Sequence, residues 1–169
     1  TFLGVAARVA SEFPEARFIL RGKGSLEGYI REYIANSCLK GKVSVGTDHV
    51  PAEKILPLFD IFILCSYREG LSTALVSAIA AGIPAVASDT GGIPEVLKDG
   101  AGILAQTGNE NDFFSAVREL IENPRRREEL STRGKQIAEE FDISKTVEKT
   151  YEIYRYLAAE YERADNDKD

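Results

Sequence analysis

A chain of 169 residues, 44% hydrophobic and 28% charged, has enough interior for one folded core and reads as a single globular domain. Its net charge of −6 speaks against non-specific binding to nucleic acid, no nucleic-acid recognition motif occurs, and no apolar stretch approaches the roughly 20 residues that cross a bilayer. No charged-then-apolar leader opens the chain, Cys38 and Cys65 lack CxxC spacing, and the one histidine, His49, offers no metal cluster, so a cytoplasmic protein without a metal centre is expected.

Phe2, Val5, Ala6 and Val9 fall at helical spacing, and Pro14 excludes the helical region for the residue before it, so a first helix is expected over residues 2–13. It begins in mid-pattern at Thr1 with no strand ahead of it. The chain is therefore expected to be an excised piece whose first strand is missing. An apolar run at 17–21 is a strand, and Gly22-Lys23-Gly24-Ser25 turns into a helix over 26–38 with Ser25 as N-cap and Leu26, Tyr29, Ile30, Tyr33 and Ile34 as its apolar face. Gly22-x-Gly24-x3-Gly28 is a poor dinucleotide fingerprint: its last glycine comes one residue late, and the next strand, 42–45, ends in Gly46-Thr47 rather than in an acid. Residues 51–59 form a short helix with Pro51 in its first turn, shortened or kinked by Pro57.

The stretch 61–95 carries the most information. An apolar strand (61–65) passes through Arg68-Glu69-Gly70 into a small-residue helix (72–81), which Gly82 and Pro84 stop. A second apolar strand (85–87) leads through Thr90-Gly91-Gly92 into a short helix opened by Ile93-Pro94-Glu95. Two buried strands joined through a helix make a βαβ unit, and its loops emerge at the carboxyl ends of the strands, where open α/β sheets bind ligands. Both loops feed helix N-termini, so amides and positive dipole ends point at one crevice. A carboxylate, Glu69, beside such amides suits a ligand with both hydroxyls and phosphate.

Glu69-Gly70-Leu71-Ser72, followed by Ala80-Ala81-Gly82-Ile83-Pro84-Ala85-Val86-Ala87-Ser88 and then Gly91-Gly92-Ile93-Pro94-Glu95-Val96, resembles the C-terminal half of retaining glycosyltransferases of the GT-B fold, family four (glycosyl transferases group 1). The resemblance extends to about Tyr156. It implies a nucleotide-sugar-binding domain at 1–163 in an enzyme that moves a sugar from a nucleoside diphosphate to an acceptor with retention, with no metal or other cofactor. The acceptor site would lie in a missing N-terminal GT-B domain, and membrane association of the parent, peripheral to the cytoplasmic face, is compatible with it. Glu69 is carried over as the catalytic carboxylate. Gly70, Leu71, Ser72 and Thr73 are carried over as donor contacts, and Gly91 and Gly92 as secondary ones, with turn geometry alone as their alternative. The turns at Gly22 and Gly46, with Thr47 and His49, would flank the nucleobase. One departure is plain: the family pattern is Glu-x7-Glu, and Ser77 stands where the second glutamate would hold the ribose diol. Two other readings follow: a non-catalytic nucleotide-sugar-binding module with Ser77 marking eroded recognition, and an epimerase or phosphorylase of the same fold, which would need basic or histidine residues at the rim.

A last strand (102–105) precedes an amphipathic helix over 110–123, and Pro124 opens another to 141, where Arg125 faces Glu129 at i,i+4 as a solvated pair. A helix over 143–163 carries Val147, Tyr151, Tyr154, Leu157 and Ala158 as a packing seam, and residues 164–169 form a disordered acidic tail. Five alternations of strand and helix give a parallel, doubly wound, Rossmann-like sheet.

Overall fold

The computed structural model describes residues 1–46 and 50–166. The elements alternate as expected: α1 (Phe2–Glu12), β1 (Phe18–Arg21), α2 (Glu27–Ala35), β2 (Val43–Gly46), α3 (Ala52–Ile55), β3 (Phe62–Leu64), α4 (Thr73–Ala80), β4 (Ala85–Ser88), α5 (Ile93–Val96), β5 (Ile103–Ala105), α6 (Glu110–Glu122), α7 (Pro124–Ala138) and α8 (Ile143–Asn166). All strand pairs are parallel, and among the described residues they fall into two sheets, β1-β2 and β3-β4-β5, rather than one continuous sheet.

Side-chain alternation along the strands divides the core into layers. Ala85 and Ala87 of β4 point to one face, where they meet Leu75 and Ile79 of α4 and Ile93 and Val96 of α5. Val86, between them, points to the other face and meets Val5 and Val9 of α1 and Phe113 and Leu120 of α6. All four β4 residues are buried, as befits a central parallel strand covered by helices on both sides. On the α1 side, Ala6 and Ala10 join Ile34 of α2 over Phe18, Val43 and Val45 of the smaller sheet. α1 thus lies across both sheets, with Phe18 touching the core on either side of it.

Several local expectations are revised. Ser25 does not cap α2; Leu26 occupies the cap position with no side-chain bond to the helix. Of the expected α2 face, Ile34 is buried and Ile30 packs beside it, while Leu26, Tyr29 and Tyr33 are exposed, because a helix at the outside of a two-stranded sheet has only one narrow stripe to bury. Pro57 ends α3 after one turn, and Leu56–Leu58 continue as a single 3₁₀ turn. α8 runs to Asn166, past the residue at which an unstructured tail is expected, since Ala164 is a strong helix former and no stop signal precedes it. Residues 167–169 lie outside the described residues. The Val147, Tyr151, Tyr154 and Leu157 seam of α8 is exposed instead of packed. Removing residues 147–169 is therefore expected to shift the thermal midpoint by no more than about 2–4 °C, the change that roughly 1 kcal/mol produces in a domain of this size; a larger fall in a calorimetric scan would show α8 to be part of the cooperative core. Among the described residues no helix is long and apolar enough to cross a membrane.

Candidate functional site

The β3–α4 loop holds the acidic residue. The sequence turns sharply after β3 because Ser72 leaves the helical region to cap α4: its hydroxyl accepts from the Leu75 amide, and the side chain is buried. Thr73 and Ala74, in the first turn of an eight-residue helix, have no acceptor within that helix. Leu71 stands exposed at the loop's tip. Glu69 is half-buried, and the Ser66 hydroxyl donates to its Oε2 at 3.0 Å, which fixes one carboxylate oxygen and leaves the other to accept elsewhere.

The β4–α5 loop braces this one from beside it. The Gly92 amide donates to the Glu69 carbonyl at 3.4 Å, and the Thr90 hydroxyl donates to the Tyr67 carbonyl at 3.3 Å. A Cβ on Gly91, which sits at φ +55°, would lie 1.8 Å from the Glu69 carbonyl oxygen, and one on Gly92 would lie 2.7 Å from that of Gly70. Both glycines are needed because one backbone passes directly over another. Their first role is thus to hold the Glu69-Gly70 backbone in place, a firmer assignment than a contact to ligand.

Tyr67, which the sequence reading did not single out, ties in two further elements. Its ring lies against Gly108 in the loop after β5, and its hydroxyl is 3.4 Å from Thr1 Oγ1 at the start of α1. The signal that could have found it is its place between a strand end and the acidic residue. The Glu110 carboxylate at the start of α6 lies against Gly4 in the first turn of α1. The start of α1, the loops after β3, β4 and β5 and the start of α6 therefore share one rim.

Ser77 lies further along α4, half-buried, and shares a helical face with Thr73 at i,i+4. From Ser72 to Ser77 the axial rise is about 7.5 Å, so a serine there reaches the rim less well than a glutamate would. Gly22 and Gly46 form a second group: the Gly22 amide donates to the Gly46 carbonyl at 3.2 Å, and the Arg21 guanidinium lies over Gly46. They end β1 and β2, on the other sheet from Glu69. Thr47 and His49 lie outside the described residues. Cys65, at the foot of the Glu69 loop, has its thiol pushed up to about 11 by burial. It stays protonated at neutral pH, which leaves it a packing group. With the folded pKa raised above the free value, Cys65 costs no stability below about pH 9 and stability is lost as pH rises from there through 11. Iodoacetamide at pH 8 is expected to alkylate exposed Cys38 and leave Cys65 unmodified in the folded chain, as intact and tryptic masses would report.

Comparison with known proteins places this geometry. The sequence model of the family described as glycosyl transferases group 1 matches residues 1–137. The chain is 35% identical over 114 residues to alpha-maltose-1-phosphate synthase of Mycolicibacterium smegmatis, a match covering 63% of this chain and 30% of that protein. Anabaena Alr3699/HepE, solved in complex with UDP and glucose, superposes with a TM-score of 0.82 at 21% identity over 92% of this chain and 44% of its own. The C-terminal domain of a glycosyl transferase group 1 family protein (LpcC) from Francisella tularensis superposes at 0.71 with 17% identity, over 80% of this chain and 74% of that one. The chain spans well under half the length of the curated relatives it matches. The fold is Rossmann-like and of the GT-B type. With the family match running through four fifths of its length, the chain belongs to the glycosyl transferases of group 1.

Proposed function

We propose that this chain is the donor-binding domain of a retaining glycosyltransferase that moves a sugar from a nucleoside diphosphate to an acceptor held by another domain of the parent protein. The observation that carries the reading is the Glu69-Gly70 loop, pinned by Ser66 from within and by Gly91-Gly92 from beside it, at the mouth of α4. A loop so fixed holds a carboxylate and a helix N-terminus in one orientation before any ligand arrives. The amides of Thr73 and Ala74 and the dipole of α4 take charge from the departing diphosphate, and no metal ion enters the scheme. Glu69 accepts from the sugar hydroxyls and faces the positive charge that develops at the anomeric carbon. Gly22 and Gly46, on the other side of the rim, flank the base. Family membership and the likeness to a protein solved with UDP and glucose support a nucleotide-sugar ligand.

Ser77 favours a second reading, a module that binds nucleotide sugar without turnover, because a single hydroxyl cannot accept from both hydroxyls of a ribose diol as a carboxylate does. Calorimetric titration of UDP, GDP and ADP, each free and sugar-linked, into the chain and its Ser77→Glu variant tests the site. One nucleotide is expected to bind, and the variant to bind it about tenfold or more tighter, the worth of one hydrogen bond to a charged group. No binding at millimolar nucleotide to folded protein, in this chain and in the longer protein alike, would overturn the donor-site reading.

A further inference from the structure

One flank of α2 carries side chains that the fold does not use. Ile34 is buried and Ile30 packs beside it, with Val43 and Val45 of β2 in the same core, so these two residues mark the face of the helix that meets the sheet. On one side of that face Arg31 donates to Glu27 at 2.9 Å, and the two charges satisfy each other. On the other side fall Tyr29, Glu32 and Tyr33, with Asn36 at the C-cap, a spacing of i, i+3, i+4 and i+7 that puts all four in one row. Together with Ser37 they line an open cavity of about 480 Å³, a size usual for small-molecule sites.

The lining restricts what can occupy it. The Tyr29 and Tyr33 rings stand 6.3 Å apart and are tilted by 40°, and with 63% and 37% of their surface exposed they offer two aromatic faces instead of a closed stack. Among the described residues, the Glu32 carboxylate, the Asn36 amide and the two phenolic hydroxyls have no hydrogen-bond or ion-pair partner. The Ser37 hydroxyl, by contrast, is already engaged, donating to the Ile34 carbonyl and accepting from the Leu39 amide. The unused groups are therefore a charged acceptor, an amide that both donates and accepts, and two hydroxyls, set beside two apolar ring faces. An anion is repelled by Glu32, and an apolar side chain pressed onto the rings would strip water from that carboxylate without replacing its hydrogen bonds. A pyranose meets both demands, because its C–H face lies on an aromatic ring while its equatorial hydroxyls reach outward to a carboxylate and an amide.

We propose that this flank of α2 is a binding site for a neutral oligosaccharide, separate from the rim that holds Glu69. α2 joins the strands of the β1-β2 sheet, whereas Glu69 follows β3 of the other sheet. A glycan held on α2 stays on the protein while ligands exchange at the rim, which raises its local concentration there. The chemistry of the site is set by α2 alone and is independent of which nucleotide binds beside Glu69.

The test is a chemical-shift titration of the folded chain with neutral trisaccharides of glucose, mannose, galactose and N-acetylglucosamine. At least one is expected to bind with a Kd of about 1 mM and to move the ring resonances of Tyr29 and Tyr33. Tyr29→Ala and Tyr33→Ala should each weaken binding about tenfold through the loss of an aromatic face, whereas Tyr29→Phe and Tyr33→Phe, which keep the face, should stay within about threefold. Glu32→Gln should weaken it about fivefold, since a charged acceptor is lost. All these side chains are exposed, so the melting temperature should be unchanged in every variant, which separates lost binding from lost fold. Nucleotide titrated into the same sample is followed at Gly70 and Thr73, so that failure of the donor site and failure of the α2 site are seen apart. The proposal is overturned if no trisaccharide moves the Tyr29 and Tyr33 rings at about ten times that Kd, if the shifts fall on the Glu69 loop instead, or if the alanine variants bind as tightly as the unsubstituted chain. It is overturned as well if the rings move with protein concentration alone, which would put a second copy on α2.

Discussion

Replacing Glu69 with glutamine is expected to abolish the preference of the site for sugar-linked over free nucleotide, and to lower turnover in a protein carrying both domains by about 10²–10³-fold, the usual effect of removing one preorganised electrostatic group. Glutamine keeps the size of the side chain and the bond from Ser66, since its carbonyl oxygen can still accept. It removes the negative charge that faces the developing cation, and it turns one acceptor into a donor where sugar hydroxyls arrive. Free-nucleotide affinity, carried by the α4 amides, should stay within about twofold on the same argument. The Ser66→Ala variant separates position from charge: it retains the carboxylate but frees its orientation, so KM for the donor should rise more than kcat falls. Calorimetry with the sugar-linked and free nucleotide, followed by steady-state kinetics, checks both. An unchanged preference in Glu69→Gln would remove Glu69 from the donor site.

The order of elements was legible in the sequence because each strand is a short apolar run bounded by glycine, proline or a charged loop, and each long helix repeats its apolar residues at three and four. The rim could be placed for a related reason. A loop between a buried strand and a capped helix must emerge at the carboxyl end of a parallel sheet, so Glu69 through Thr73 and Gly91-Gly92 could be assigned to one rim before any coordinates. What the sequence did not contain was the contact between the loops. Nothing in Thr90-Gly91-Gly92 announces that its backbone passes over Glu69, nor that Tyr67 reaches Gly108 and Thr1, since those meetings depend on strand order and on residues 22 to 66 positions apart. The division of the sheet was hidden likewise. An apolar run such as residues 62–64 is the same whether it has one neighbour or two, so one continuous sheet was expected where there are two. The exposure of Tyr29 and Tyr33 shows the converse limit, for helical spacing identifies a face without saying what stands opposite it.

The brace between the loops yields the largest stability effect. Gly91→Ala is expected to lower the melting temperature by about 6–12 °C, corresponding to roughly 3 kcal/mol at 2–4 °C per kcal/mol. About 1–2 kcal/mol of that is the cost of a side chain at positive φ, and the remainder is overpacking. The added methyl has no rotamer with which to escape, because Cβ is fixed by the backbone and its obstacle is the Glu69 carbonyl 1.8 Å away. Gly100→Ala provides the control: it too has positive φ, +80°, but open space where its Cβ would be, so it should lose only the conformational part. The excess of the first loss over the second measures the close approach of the two loops. Relieving the clash must push the Glu69-Gly70 backbone away from the β4–α5 loop, which misplaces the carboxylate and the first amides of α4 together. Nucleotide binding by Gly91→Ala should therefore fall at temperatures well below its melting point, whereas Gly100→Ala should bind as the parent chain does. Equal melting losses in the two variants, with binding retained in both, would show that the loops part freely and that the rim is not held as one unit.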